Sequence, residues 1–248
     1  MTGSSLDKAL GILDLLEDAP GPVAFEALHA RCGFTRSTLY RYLKALQEAG
    51  LVTAFQDRGF ALGPRVVELD FRMRRADPLI AAARPAMAAL AAELPGIALL
   101  CRRYRDRVLC VHQEGSLGAG RRSTYERGLA MPLFRGAASR VILAHLPPGA
   151  IARLYAQDAT AFVAAGLGTT VAEARSALGT IRRRGFDVTA GQVTPGVTGI
   201  AAPILDAGEA VVGSLSVTLR RTRLTAASAA AIGEQIAAAA RRLSAAAG

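Results

Sequence analysis

The sequence has no tryptophan, three cysteines and three histidines in 248 residues, and aromatic side chains make up only 5% of it. Cys32, Cys101 and Cys110 match no zinc-ligand spacing and are too few for a disulfide framework. His29, His112 and His145 fall far apart, in different segments, so no metal site and no cofactor is expected. Long apolar runs are missing as well. Arg, Pro or Gly breaks each one well short of a membrane span. The opening MTGSSLDKALGILDLLED has acids inside its apolar pattern and no cleavage-like end, which is unlike a signal peptide. These absences lead to the expectation of a soluble, cytoplasmic chain. Catalytic sets are equally hard to find. Ser139 and Ser214 lack a nucleophile-elbow context, no Gly-rich phosphate cradle follows a strand, and no paired carboxylates share a helix face. An enzyme is not expected.

What is present is apolar and basic: 51% hydrophobic residues and a formal charge of +10. The charge is unevenly spread. Residues 1–62 hold six Lys or Arg against seven Asp or Glu, so the excess lies entirely in the rest of the chain. Net charge therefore does not mark a nucleic-acid-binding end, and individual positions must. Leu6, Leu10, Leu13 and Leu16 repeat at helical spacing until Ala19-Pro20-Gly21-Pro22 stops them. A short helix over residues 24–31 follows, then a turn at Cys32-Gly33-Phe34. Thr35 is placed to cap a third helix, with Leu39, Leu43 and Leu46 inward and Gly50 at its end. Residues 51–55 and 60–62 read as strands around the turn Gln56-Asp57-Arg58-Gly59. Three helices and a hairpin make a winged helix-turn-helix, assigned to residues 1–63.

Residues 64–77 read as an amphipathic linker helix, and 78–248 as an effector-binding and oligomerisation domain. Asp77-Pro78 opens its first helix and Pro95-Gly96 closes it. Residues 97–104 and 108–112 form a hairpin turning at Arg105-Asp106, which pairs 104 with 107 and Cys101 with Cys110. Two small buried residues in facing strands are a better reading of that pair than a redox switch. A polar, Gly-rich loop over 115–127 precedes helices at 136–146, 148–157 and 170–184. Strands at 186–189, 199–205 and 210–219 and an Ala-rich helix from 225 to 246 complete a sheet covered by helices, class α+β. Arg182-Arg183-Arg184 and Arg220-Arg221 could meet DNA or an acidic ligand. For the triplet before Gly185, a solvated helix end complementing the dipole is preferred.

In a helix-turn-helix the second helix enters the major groove. Its outward face here carries Arg36, Ser37, Tyr40, Arg41 and Lys44, with Thr35 at the cap and Thr38 at the boundary. Arg36, Ser37 and Thr38 are placed for base edges, and Tyr40, Arg41 and Lys44 for phosphates. Arg58 at the wing tip could reach the minor groove or a phosphate. An ordinary solvated face is the alternative for each residue alone, but caps, turn, leucine spacing and wing together favour double-stranded DNA.

These segments resemble the IclR family of bacterial transcriptional regulators. LDKALGILDLLED is similar to its first helix, FTRSTLYRYLKALQEAGLV to its helix-turn-helix signature and FALGPRVVEL to its wing-to-linker segment. MPLFRGAASRVILAHLP and RRRGFDVTAGQVTPGVTGIAAPILDAGEAVVGSLSV resemble its sensor motifs. The resemblance implies a GAF-like C-terminal domain that binds a small organic acid, a homodimer or homotetramer, and DNA affinity altered by the ligand. Residues matching its pocket are Ala137, Ala138, Thr189, Gly199, Ser216 and Thr218, with Met131 and Phe134 as an apolar wall. Many relatives carry an acid at Thr189 and a cysteine at Gly199, so here a charge is lost and the cavity enlarged. Hydroxyls and a helix start suit a carboxylate, and an aromatic or bulky acid is the expectation. An enzyme with an appended winged helix, and a protein-docking winged helix, are the readings from other classes.

Overall fold

The computed structural model describes residues 4–117, 125–220 and 224–246, and the chain divides into two compact units, residues 1–76 and 77–248. In the first, α1 (Ser5–Glu17), α2 (Phe25–Cys32) and α3 (Arg36–Glu48) precede the hairpin β1 (Val52–Phe55) and β2 (Gly59–Leu62), then α4 (Arg65–Ala76). Ser4 and Asp7 close a capping box at the start of α1, where the Ser4 hydroxyl accepts from the Asp7 N–H and the Asp7 carboxylate from the Ser4 N–H. Gly33 takes φ +67°, the left-handed turn that lets α3 follow α2 at once. Thr35 Oγ1 accepts from the Thr38 N–H at 3.3 Å, and Leu39, Leu43 and Leu46 pack on Ile12, Leu16 and Leu28. Helix α4, the segment read as a linker, has no buried residue and falls in the first unit.

The second unit opens with α5 (Pro78–Glu93), whose Asp77 cap accepts from the Leu79 and Ile80 N–H groups. Strands β3 (Gly96–Tyr104), β4 (Arg107–Gly115) and β5 (Ala130–Pro132) come next. Helices α6 (Ala137–Ala144), α7 (Pro148–Gln157), α8 (Ala159–Ala164) and α9 (Val171–Arg184) follow. Strands β6 (Asp187–Ala190), β7 (Val197–Leu205) and β8 (Val211–Arg220), and α10 (Ala226–Ala246), complete the unit. The six strands form one antiparallel sheet in the order β5-β4-β3-β8-β7-β6. Both faces are buried. Ile97, Leu99, Cys101 and Val197 join the core with α6 to α9, while Ala98, Leu100, Val217 and Leu219 join that with α5 and α10. That is why β3 begins as an unbroken apolar run and not as an apolar-polar alternation.

The hairpin register is the one its turn implies, with Tyr104 opposite Arg107 and Cys101 opposite Cys110, both thiols free and buried. Two elements went unread: β5 spans three residues, too few to show a period, and α8 buries only Phe162. The loop over 115–127 is less polar than read. Leu117 and Tyr125 are buried, and 118–124 lie outside the described residues. Arg182, Arg183 and Arg184 are exposed at the end of α9, whose cap Gly185 has φ +78°.

One glycine sets how closely α10 approaches the sheet. A Cβ at Gly233 would stand 2.2 Å from the buried ring of Phe186. Overpacking a core costs about 1–3 kcal/mol, more than the roughly 1 kcal/mol that alanine gains over glycine in a helix. Gly233→Ala is therefore expected to lower stability by about 1 kcal/mol, read as a lower urea midpoint; an unchanged or raised midpoint would show that Phe186 yields.

Candidate DNA-reading face and ligand pocket

Helix α3 presents Arg36, Ser37, Tyr40, Arg41 and Lys44 to solvent, with Thr35 exposed at the cap and Thr38 half-buried. Its first turn is a cluster of hydroxyls: Thr35 Oγ1 lies 2.9 Å from Thr38 Oγ1 and 3.2 Å from Ser37 Oγ. Arg36 is not free in the way its sequence position implies. Its Nη1 and Nη2 donate to the two oxygens of Glu26 at 2.8 and 2.7 Å, and its guanidinium lies 5.0 Å from the Phe25 ring centre. The Arg36 hydrogen bonds hold the Glu26 carboxyl below its ordinary range. This fork is the shape that takes guanine, so a base contact by Arg36 requires the pair to open. Glu26 is the residue that sequence reasoning missed. The signal was available, since α2 abuts the start of α3 in any helix-turn-helix.

Arg41 lies 5.5 Å from the Tyr42 ring centre, and Tyr40 is 63% exposed. Lys44 faces Glu48 at 3.9 Å across solvent, a pair worth little. Arg58 sits in the β1–β2 turn beside Phe55, exposed.

In the second unit, sheet register converges on one spot. Thr189 pairs with Gly199, Gly199 with Thr218, and Thr218 with Ile97, while Ala201, Ser216 and Leu99 form a second row. Over these rows stands the start of α6. Thr189 Oγ1 accepts from the Ala137 N–H at 3.0 Å, and Gln192 Oε1 from that of Gly136 at 3.2 Å. A side chain at Gly199 would reach toward Thr189 Oγ1 and the Ala137 methyl, at 3.6 and 3.8 Å, so its absence leaves a gap.

The gap is a cavity of about 40 Å³. Of the eight predicted pocket residues, Ala137, Ala138, Thr189, Gly199, Ser216 and Thr218 line it; Met131 and Phe134 do not. Met131 pairs with Val108 on β5, and Phe134 packs against Phe162 at 5.7 Å. Unforeseen lining residues are Tyr125, Arg135 and the segment 192–194. Tyr125 comes from a loop that reads as polar. Its ring is buried, and its hydroxyl donates to Cys101 Sγ at 3.2 Å. The Gly199 opening therefore does not by itself make room for a ring. A benzene-sized ligand occupies a cavity of roughly 150 Å³.

Among the described residues, the cavity lining offers hydroxyls and one cation, Arg135. Ser214 Oγ spends its proton on the Ala138 carbonyl at 2.9 Å, but Ser216 Oγ, buried in the cavity wall, has no partner among the described residues. Leaving a buried hydroxyl unpaired costs about 1–3 kcal/mol, which a ligand oxygen would relieve. Below the cavity, Arg140 Nε of α6 lies 2.8 Å from Asp187 Oδ2 of β6. Burial pushes the Asp187 carboxyl above its usual range, and Arg140 opposes that shift. Among the described residues no group of His, Cys, Asp and Glu could hold a metal ion, and no helix is long and apolar enough to cross a membrane.

The chain matches two family models, the IclR helix-turn-helix domain over residues 5–54 and the bacterial transcriptional regulator IclR C-terminal over residues 73–245. It is 29% identical over 242 residues, 97% of this chain and 86% of the other, to the HTH-type transcriptional regulator BhcR of Paracoccus denitrificans. It is 27% identical over 227 residues, 89% of this chain and 84% of the other, to the probable HTH-type transcriptional regulator ArcR of Halobacterium salinarum. Its fold resembles an IclR-type transcriptional regulator from Alicyclobacillus acidocaldarius, at TM-score 0.84, 24% identity and full coverage of both chains. It also resembles an IclR homologue from Microbacterium hydrocarbonoxydans complexed with 4-hydroxybenzoate, at TM-score 0.75 and 19% identity, covering 98% of this chain and 100% of that one. With one model matching well over half its length and another its helix-turn-helix, the chain belongs to the IclR family of bacterial transcriptional regulators.

Proposed function

We propose that the chain is a non-enzymatic regulator that binds a double-stranded DNA operator through α3 and the β1–β2 wing, and that a small organic acid in the α6 cavity sets that affinity. The observation that carries the sensing half is the unpartnered Ser216 hydroxyl inside a cavity capped by a helix start. A carboxylate suits both: one oxygen accepts from Ser216, and the positive end of the α6 dipole favours the charge. The 4-hydroxybenzoate held by the Microbacterium hydrocarbonoxydans homologue supports an acid, including an aromatic one. At about 40 Å³ the cavity takes an aromatic acid only if Tyr125 or the 192–194 segment moves outward.

An enzyme finds no support in this lining, which offers hydroxyls, backbone amides and the Arg135 guanidinium. The nearby thiol of Cys110 is pushed far above its usual range by its bond with Cys101 and by burial, which keeps it protonated and un-nucleophilic.

Homodimers or homotetramers belong to the same proposal. Val66, Val67, Leu69, Phe71 and Met73 of α4 are each 39% exposed or more, an apolar stripe that a monomer would leave wet. Two readers on a symmetric site also gain effective affinity over one.

Three outcomes are expected. Arg41→Ala and Lys44→Ala each weaken binding to all DNA sequences alike and lower the slope of log affinity against log salt by about 1 in gel-shift titrations; an unaltered slope would leave these side chains off the phosphates. Ser216→Ala weakens acid binding about tenfold by calorimetry, while the melting temperature of the ligand-free chain rises because an unpaired buried hydroxyl is removed. A panel from acetate to 4-hydroxybenzoate giving no heat with the unsubstituted chain would overturn the sensing reading. Phe71→Glu lowers the sedimentation coefficient toward a monomer's, and an assembly indifferent to it would place the contact elsewhere.

A further inference from the structure

The other face of the sheet holds a larger space than the first. Where α5 ends and α10 begins, a groove of about 450 Å³ opens against the ends of β3 and β8, compared with about 40 Å³ under α6. Small-molecule sites span roughly 300–1,000 Å³, so this groove is of ligand size as it stands. Its walls are aliphatic: Leu94 after α5, Leu117 after β4, Leu219 on β8, and Leu224 and Ile232 at the start of α10. Leu117 and Leu219 are buried and form a fixed floor, whereas Leu94, Leu224 and Ile232 are half-buried and reachable from solvent.

Among the described lining residues, Arg220 is the one cation bordering this apolar space. Arg220 follows Leu219, and its Nε and Nη2 donate to the Leu117 carbonyl at 3.1 and 2.7 Å. Those two bonds hold the guanidinium plane at the groove, while Nη1 has no partner among the described residues. Arg220 is thus an exposed donor held in place by two hydrogen bonds; Arg221, paired with it in the sequence reading, lies outside the described residues. No carboxylate appears among the described lining residues to neutralise it.

The geometry points to a second ligand site, separate from the α6 cavity, for an amphipathic monocarboxylate. Its head group sits on Arg220 and its alkyl tail lies along Leu94, Leu224 and Ile232. The Arg220 guanidinium suits a carboxylate, and a concave aliphatic wall of this volume matches a tail of several carbons. The strand β8 serves both sites: Ser216 and Thr218 line the α6 cavity, and Leu219 and Arg220 the groove.

The probe is sodium octanoate, titrated calorimetrically into the full chain with 1-octanol as the uncharged control. Octanoate is expected to bind one per chain, and octanol about tenfold more weakly, the loss of one charge-assisted hydrogen bond. Arg220→Gln brings octanoate to the octanol level, Ile232→Trp fills the groove and abolishes binding, and Ser216→Ala leaves it unchanged. In the unsubstituted chain, octanoate shifts the methyl resonances of Leu94, Leu219, Leu224 and Ile232, a readout that needs no variant to fold. Methyl shifts confined to residues around α6, or binding lost in Ser216→Ala but kept in Arg220→Gln, would place octanoate in the first cavity and overturn the second site while leaving the proposed sensor intact. Absence of octanoate binding at millimolar concentration, or a groove that Ile232→Trp shows by sedimentation to be a contact between copies of the chain, would also overturn it.

Discussion

The constraint on which the second unit depends is a sheet buried on both faces. In such a sheet every polar side chain needs a partner inside the protein, because water cannot supply one. The pairing is largely complete. Thr189 takes the Ala137 N–H, Ser214 gives its proton to the Ala138 carbonyl, and the Tyr125 hydroxyl rests on Cys101. Against that background Ser216 is an exception with a location, since its orphaned hydroxyl stands in the cavity where Gly199 removes a side chain from the neighbouring strand. The same bonds that tie α6 to the sheet bring its start over that gap. The residues around the unpartnered hydroxyl therefore also hold the fold together.

Much of this was legible because it obeys short-range rules. Leu39, Leu43 and Leu46 fall on one helical face whatever surrounds them, Thr35 caps because its hydroxyl reaches the N–H three residues ahead, and a two-residue turn at Arg105-Asp106 fixes Cys101 against Cys110. Six of the eight pocket residues taken from the family resemblance line the cavity: strand register brings Thr189, Gly199, Ser216 and Thr218 together, and the start of α6, tied to Thr189, adds Ala137 and Ala138. Where sequence reasoning failed, the deciding contact was long-range. Phe134 turns toward Phe162, 28 positions away, and Tyr125 folds in on Cys101 from a segment whose composition reads as solvent-facing. Volume was the least legible property. A missing side chain at Gly199 implies a larger cavity, but the rings and segments around it decide how much of that space remains.

Arg36 shows the same limit on the first unit. Its place in the opening turn of α3 makes it a natural guanine reader, and a helical wheel cannot reveal that Glu26 occupies its fork. The pair is exposed on both sides, at 61% and 67%, so its own energy is small. Its effect is geometric. It holds the guanidinium against Phe25, at the meeting of α2 and α3, and any base that recruits Arg36 must offer more than the carboxylate it displaces.

The charge distribution then constrains how such a reader can work. Residues 1–76 carry ten bases and nine acids, so the unit bearing α3 gains little from long-range attraction to a polyanion. On the proposed reading, affinity comes from exposed cations on α3 and the wing, Arg41, Lys44 and Arg58. Three phosphate contacts release only about three counterions, a small share of the affinity that operator-binding proteins reach. On that reading, a second copy at a fixed spacing supplies the missing affinity, and a molecule that alters the spacing alters binding steeply. Under the proposed function, weak single-copy contact with DNA is what would let a ligand in the second unit change operator binding steeply.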